Sequence, residues 1–150
     1  MTKILMICHG NICRSTMAEF VMKEMVRAAG RSAEFEIASA GTSREEIGND
    51  THHGTKAKLR EQGVPFTPRK ARQITKADYA YYDYLICMDN ANLRNLARIV
   101  GADAQGKIHL LLDFADGAGR NIADPWYTGN FDATYADVVE GCAALLNHCG

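Results

Sequence analysis

The chain has 150 residues, 47% hydrophobic and 23% charged, and its 17 basic and 18 acidic side chains leave a formal net charge of -1. A domain of this size buries about 70% of its unfolded surface without disulfides or metals. The charge balance excludes the basic excess of bulk nucleic-acid or membrane-surface binders, and no apolar stretch reaches membrane-spanning length.

In chain order, residues 3–8 form a continuous apolar run, the pattern of a strand buried on both faces. A helical stripe follows at Met17, Phe20, Val21, Met25 and Ala28, with Thr16-x-x-Glu19 placed as a capping box at its start. Phe35-Glu36-Ile37-Ala38 alternates and reads as an edge strand. Helices are expected near 52–62 and 90–100, and buried strands at Tyr84–Met88 and Ile108–Leu111. Tyr135, Val138, Val139, Cys142, Leu145 and Leu146 mark a last helix whose cysteines, Cys142 and Cys149, belong to the core. The alternation predicts one α/β domain over 1–150, with right-handed crossovers, helices on both faces and a parallel sheet. In such a sheet ligands bind at the carboxyl ends of the strands. Cys8 ends the first strand, Asp89 follows the third and Asp124 lies after the fourth.

Cys8-His9-Gly10-Asn11-Ile12-Cys13-Arg14-Ser15 joins the first strand to the first helix. A Cys and an Arg with five residues between them can close a short loop whose N–H groups turn inward and, with the free N–H groups of the helix start, cradle an anion. Arg14 adds a planar fork that pairs with two phosphate oxygens at once. The same field favours a thiolate at Cys8, an in-line nucleophile for phosphorus. Ser15 is placed to reach back to that sulfur, and Asn11 sits at a bend that needs a positive φ. His9 is either a titrating neighbour of Cys8 or a solvated rim residue.

Cleaving a phosphate ester also needs a proton for the leaving oxygen. Asp124 is the candidate, because Ile122-Ala123 and Pro125-Trp126 would hold its carboxyl in partly apolar surroundings that favour the protonated form. An Asp-Pro pair by itself more often only starts a turn. The five cysteines, an odd number without paired C-x2-C units, indicate a reducing compartment. With too few apolar residues after Met1-Thr2-Lys3 for a signal segment, the expected location is the cytoplasm. Neither Cys8, Cys13 and His9 nor His52-His53 has the ligand pairs of a zinc site, so no metal or other cofactor is expected.

Ile7–Ser15 continued by Met17-Ala18-Glu19 resembles the signature of the low-molecular-weight protein tyrosine phosphatases. Ser39-Ala40-Gly41-Thr42, Ala71-Arg72-Gln73, Asp83-Tyr84, Ile86–Asp89 with Asn92, and Asp124–Tyr127 resemble further motifs in family order. The resemblance implies a four-stranded sheet of order 2-1-3-4 and a phosphate-binding loop, His9 to Ser15, after strand 1. It also implies a two-step reaction through a cysteinyl-phosphate. In that reaction Cys8 is the nucleophile, Arg14 gathers the transition-state charge, Asp124 is acid and then base, and Ser15 eases thiolate departure. Ser39 resembles a position that hydrogen-bonds Asn11. Asp89 would either orient Arg14 or Arg72 or cap the following helix. Cys13 resembles a second loop cysteine able to trap Cys8 as a reversible disulfide, and is otherwise a small packing residue. Thr16 stands where many members have Pro, and Arg69 where some have a His.

Ile12, Trp126 and Tyr127 are the expected walls of a slot deep enough for phosphotyrosine. The resemblance places Thr at the position of Ile12 in phosphoarginine-directed relatives, so Ile12 favours phosphotyrosine. The loop 43–50 would border the mouth with carboxylates and with Arg44. Expected substrates are phosphotyrosine proteins or peptides and small aryl phosphates, handled by a monomer with no nucleic-acid or membrane partner. An arsenate reductase of the same fold would need two more redox cysteines near Cys8, and a phosphocarrier would not need Asp124.

Overall fold

The computed structural model describes residues 1–150. Four parallel strands, β1 (Thr2–Cys8), β2 (Phe35–Gly41), β3 (Tyr84–Cys87) and β4 (Ile108–Leu110), lie in the order β2-β1-β3-β4. The helices are α1 (Arg14–Ala28), α2 (His53–Glu61), α3 (Lys76–Tyr81), α4 (Asn90–Val100), α5 (Pro125–Thr128) and α6 (Phe131–His148).

β1 explains why its sequence is apolar throughout rather than alternating. Ile4, Met6 and Cys8 point into the larger core with α1, α2 and α6, whereas Leu5 and Ile7 point into the smaller one with Leu96 of α4 and Ile74. Both faces of this central strand are therefore covered, and its neighbour β2 is the edge strand that the alternation of residues 35–38 indicated.

The structure differs from the sequence reading at several helix ends. No Thr16–Glu19 capping box forms, because α1 starts earlier, at Arg14. The Thr16 hydroxyl instead donates back to the carbonyls of Ile12 and Cys13, at 3.0 and 2.9 Å. This fastens the turn where a proline ring would have stiffened it. The buried stripe of α1 includes Met17, Phe20, Val21, Met22 and Val26, while Met25 is half-buried and Ala28 exposed. Cys142 is fully buried, but Cys149 lies past the end of α6 and is only half-buried. Two short helices went unread. α3 has the capping pair Thr75 and Asp78, a T-x-x-D signal present in the sequence, and α5 is a single turn begun by Asp124 and Pro125.

Burial pushes the Cys13 thiol up to about 12 and also raises those of Cys87 and Cys142. The folded state thus keeps three protons that an unfolded chain releases above about pH 8.5. Their stabilising contribution is complete below that pH and is lost as pH rises through the folded-state values, by up to about 1.4 kcal/mol per pH unit for each thiol. Urea unfolding at pH 8 and pH 9.5 should show this decline, and Cys142→Val should make it shallower; an unchanged slope would contradict the burial of that thiol.

Candidate active site

The carboxyl end of β1, the loop after β2 and the segment after β4 meet at one pocket lined by Cys8, His9, Gly10, Ile12, Cys13, Glu45, Glu46, Asp124, Trp126 and Tyr127. Cys8 is the last residue of β1, and the chain then curls into α1. None of the main-chain N–H groups of His9–Cys13 donates to a protein acceptor, so they remain available to an anion. Asn11 makes the curl possible with φ 60°, the only positive φ in the chain outside glycine.

The side chains behind the loop are matched donor to acceptor. Cys8 Sγ lies 3.0 Å from Ser15 Oγ, and Asn11 Nδ2 donates to that same oxygen at 2.9 Å. The Ser15 hydroxyl proton is therefore free to point at a thiolate. Asn11 Oδ1 accepts from the Arg72 main-chain N–H at 3.1 Å and from the Arg69 guanidinium. Ser39 does not reach Asn11: its hydroxyl donates to Glu19, whose carboxylate also takes Lys23. Arg72 contributes its backbone here, while its guanidinium grips Asp78 with two bonds of 2.9 and 3.1 Å. Gly41 must be glycine, since a Cβ there would stand 2.8 Å from the His9 carbonyl oxygen.

Arg14, the first residue of α1, is buried beside the pocket next to Asp124. Its NH1 group donates to Asp89 at 2.6 Å and to the Ile122 carbonyl at 2.9 Å, and NH2 lies 3.5 Å from Asp124. Nε has no protein partner although it is buried. Burial works against the charge of this guanidinium, but Cys8, Asp89 and Asp124 outweigh it and raise its pKa. Asp89 both orients Arg14 and caps α4, accepting from Asn92 N at 2.8 Å, so the two roles weighed for it coexist; it does not touch Arg72. Asp124 caps α5 by accepting from Trp126 N at 3.0 Å, and the Ala123 carbonyl beside it accepts from the Thr134 hydroxyl at 3.0 Å.

Ile12, Trp126 and Tyr127 all line the pocket, as expected, although Tyr127 is 82% exposed and sits at the rim rather than inside. His9 Nε2 lies 2.9 Å from Glu45, while Arg44 turns away to Gln73. The mouth therefore carries the carboxylates of its loop without Arg44. Of the cysteines outside the loop, Cys87 and Cys142 are buried in β3 and α6 and Cys149 is half-buried past the end of α6, and none of them lines the pocket with Cys8.

Arg69, at the position where the resemblance has a His in some members, donates to Asn11 Oδ1. Burial pulls its pKa down, but from so high a value that it stays charged, and it also donates to the Asn49 carbonyl at 3.3 Å. Arg69→Met would leave Asn11 Oδ1 with one donor at a left-handed residue. Losing this charge-assisted bond should weaken inhibition by inorganic phosphate about tenfold and lower the melting temperature. An inhibition constant equal to the parent's would show that Arg69 does not support the loop.

Comparison with known proteins agrees across the whole chain. Residues 3–149 match the family model of the low molecular weight phosphotyrosine protein phosphatases. The chain is 36% identical over 147 residues to the Bacillus subtilis low molecular weight protein-tyrosine-phosphatase YfkJ, covering 97% of this chain and 94% of that protein. It is 37% identical over 147 residues to the human low molecular weight phosphotyrosine protein phosphatase, covering 95% and 92%. The crystal structure of YfkJ superposes with a TM-score of 0.94 over 99% of this chain and 94% of that one, at 36% identity. A Drosophila arginine phosphatase superposes with a TM-score of 0.86 at 28% identity, covering 99% and 98%, so the shared fold does not select the phosphorylated group. With a matching fold, a loop of free amides closed by Cys8 and Arg14, and a family match from end to end, the chain belongs to the low molecular weight phosphotyrosine protein phosphatases.

Proposed function

We propose that the protein hydrolyses phosphotyrosine monoesters, in proteins, peptides and small aryl phosphates, through a cysteinyl-phosphate. The observation that carries this reading is the meeting of Cys8 and the Asp124 carboxyl in one pocket over a loop of unpartnered N–H groups, with the buried Arg14 guanidinium 3.5 Å from Asp124. The Cys8 thiolate attacks phosphorus while the loop N–H groups and Arg14 bind the equatorial oxygens. The P–O bond breaks and Asp124 gives its proton to the departing tyrosine oxygen. Water then attacks the phosphocysteine, Asp124 takes a proton from it, and Cys8 leaves as a thiolate eased by the Ser15 hydroxyl. Every proton is accounted for by Asp124, so the sequence needs no metal or redox group.

Substrate choice follows from the walls. Phosphotyrosine extends its phosphate far enough to reach a loop at the bottom of a slot, and Ile12 and Trp126 offer apolar sides to its ring. Ile12 in place of Thr supports phosphotyrosine over phosphoarginine. The five free thiols support a reducing, cytoplasmic setting, in which the protein works as a monomer.

The test compares phosphotyrosine, phosphoserine and phosphoarginine peptides with the parent, Cys8→Ser and Asp124→Asn. Cys8→Ser should abolish turnover, and phosphotyrosine should be the preferred peptide. Asp124→Asn should lower kcat/KM by ~10²–10⁴-fold on phenyl phosphate and by less on nitrophenyl phosphate, because kcat/KM reports the cleavage step, where a more acidic leaving phenol needs less help. Residual activity of a few per cent in Cys8→Ser would end the cysteinyl-phosphate mechanism, and preference for another peptide would end the pocket argument.

The reading extends to Cys13, which lines the same pocket as Cys8 and would trap it as a reversible disulfide under oxidants. Peroxide should then inactivate the parent in a way that a dithiol reverses, whereas Cys13→Ser should over-oxidise irreversibly. Equal recovery of both, with no Cys8–Cys13 peptide by mass spectrometry, would reduce Cys13 to packing.

A further inference from the structure

His52 touches three parts of the molecule that the reaction must keep in register. Its main-chain N–H donates to the Ile12 carbonyl of the phosphate loop at 2.8 Å. Its Nδ1 accepts from Gly54 N at 3.0 Å and so caps α2. Its ring stacks on Phe131, the first residue of α6, with centroids 5.7 Å apart and planes 14° from parallel, and meets Trp126 edge-on at 5.5 Å and 72°. α2 approaches Phe131 this closely because residue 54 is glycine; a Cβ there would lie 2.3 Å from the ring. Burial and the neighbouring His53 lower the His52 pKa, which keeps Nδ1 an unprotonated acceptor at neutral pH.

Trp126 is the next link. It lies in the single-turn helix α5, is 57% exposed, and has the His52 ring as its aromatic neighbour. Its main-chain N–H is the one that donates to Asp124 Oδ1. A one-turn helix has little stability of its own, so the direction of its first residue depends on what its side chains lean against. From the other side, the Thr134 hydroxyl holds the Ala123 carbonyl.

We infer that His52 is a positioning residue for Asp124: its ring, braced on Phe131, props Trp126 and so aims the Asp124 carboxyl at the pocket above Cys8. This rests on the reading of Asp124 as the acid and base of the reaction. His52 itself touches neither substrate nor nucleophile.

Two substitutions separate the ring from the cap. His52→Asn keeps a capping acceptor for Gly54 N but removes the ring, and His52→Phe keeps the ring but removes the acceptor. His52→Asn should lower kcat/KM about tenfold on phenyl phosphate and less than about threefold on nitrophenyl phosphate, since kcat/KM reports the cleavage step, where a misaimed acid is missed most if the leaving group is poor. Its inhibition by inorganic phosphate and the alkylation rate of Cys8 should match the parent, a pattern that general loosening of the fold would not produce. His52→Phe should stay within about threefold of the parent on both substrates, and His52→Asn should cost nothing further in an Asp124→Asn background. A kcat/KM on phenyl phosphate within about twofold of the parent in His52→Asn would overturn the inference. So would an equal loss on both substrates with weaker phosphate inhibition, which would trace the effect to Ile12 and the loop. A normal Asp124→Asn would overturn the acid assignment and this inference with it, whereas a disabled Asp124→Asn beside a normal His52→Asn would overturn this inference alone.

Discussion

A guanidinium buried beside an anion pocket has to be held by acceptors, and Arg14 meets this demand with groups from distant parts of the chain. Asp89 comes from the end of β3, the Ile122 carbonyl and Asp124 from the segment after β4, and Arg14 itself from the start of α1. Removing one partner of a buried ion pair of this kind typically costs about 3–5 kcal/mol, because a desolvated charge is left behind. The clamp therefore ties the carboxyl ends of three strands together, and the rest of the pocket is arranged around it. Nε alone of its donor groups has no protein acceptor.

The loop carries a second constraint, the left-handed backbone of Asn11. A non-glycine residue in that region costs of order 1 kcal/mol or more and persists only where the surroundings over-determine it. Here both ends of the Asn11 amide are occupied, one by Ser15 and the other by Arg72 N and Arg69. Gly41 lets the end of β2 pack directly against the loop, and Thr42 N and Ser43 N bond the carbonyls of Cys8 and His9, each at 3.0 Å. With its carbonyls turned outward onto β2's continuation, the loop presents its N–H groups inward. Peptide orientation and nucleophile placement are thus one packing problem.

The acid-bearing side is built differently. α5 is a single turn with two exposed aromatics, in which only Pro125 is buried, and its approach is held by the Thr134 hydroxyl, the Arg14 ion pair and the His52 ring. A rigid cradle beneath a lightly anchored acid suits a site that must admit substrates as large as a protein segment. The rim adds Glu45 and Glu46, while Arg44 is spent on Gln73, so the field near the mouth is more acidic than the loop's composition alone suggests.

Features set by nearest neighbours in the chain were legible in the sequence. The unbroken apolar run of β1 required cover on both faces, and C-x5-R between a strand and a helix required a loop of inward N–H groups with a positive φ at Asn11. The strand order and the assignments of Cys13 and Asp124 came from resemblance, since spacing alone left an Asp-Pro pair ambiguous, whereas the reach of Ser15 to Cys8 followed from its place in the loop. Only the tertiary structure decided which side chains share a hydrogen bond across long separations. It gave Ser39 to Glu19 instead of Asn11, put Arg69 on Asn11, let Asp89 serve both α4 and Arg14, and braced His52 between Trp126 and Phe131. It also replaced the expected Thr16–Glu19 cap, because Glu19 is drawn to Ser39 and Lys23 and Thr16 finds carbonyls closer at hand. The physical reason is the same in each case: periodicity and turn chemistry act between residues a few positions apart, whereas a polar side chain takes whichever partner the packed fold brings within about 3 Å, and no local pattern encodes that choice.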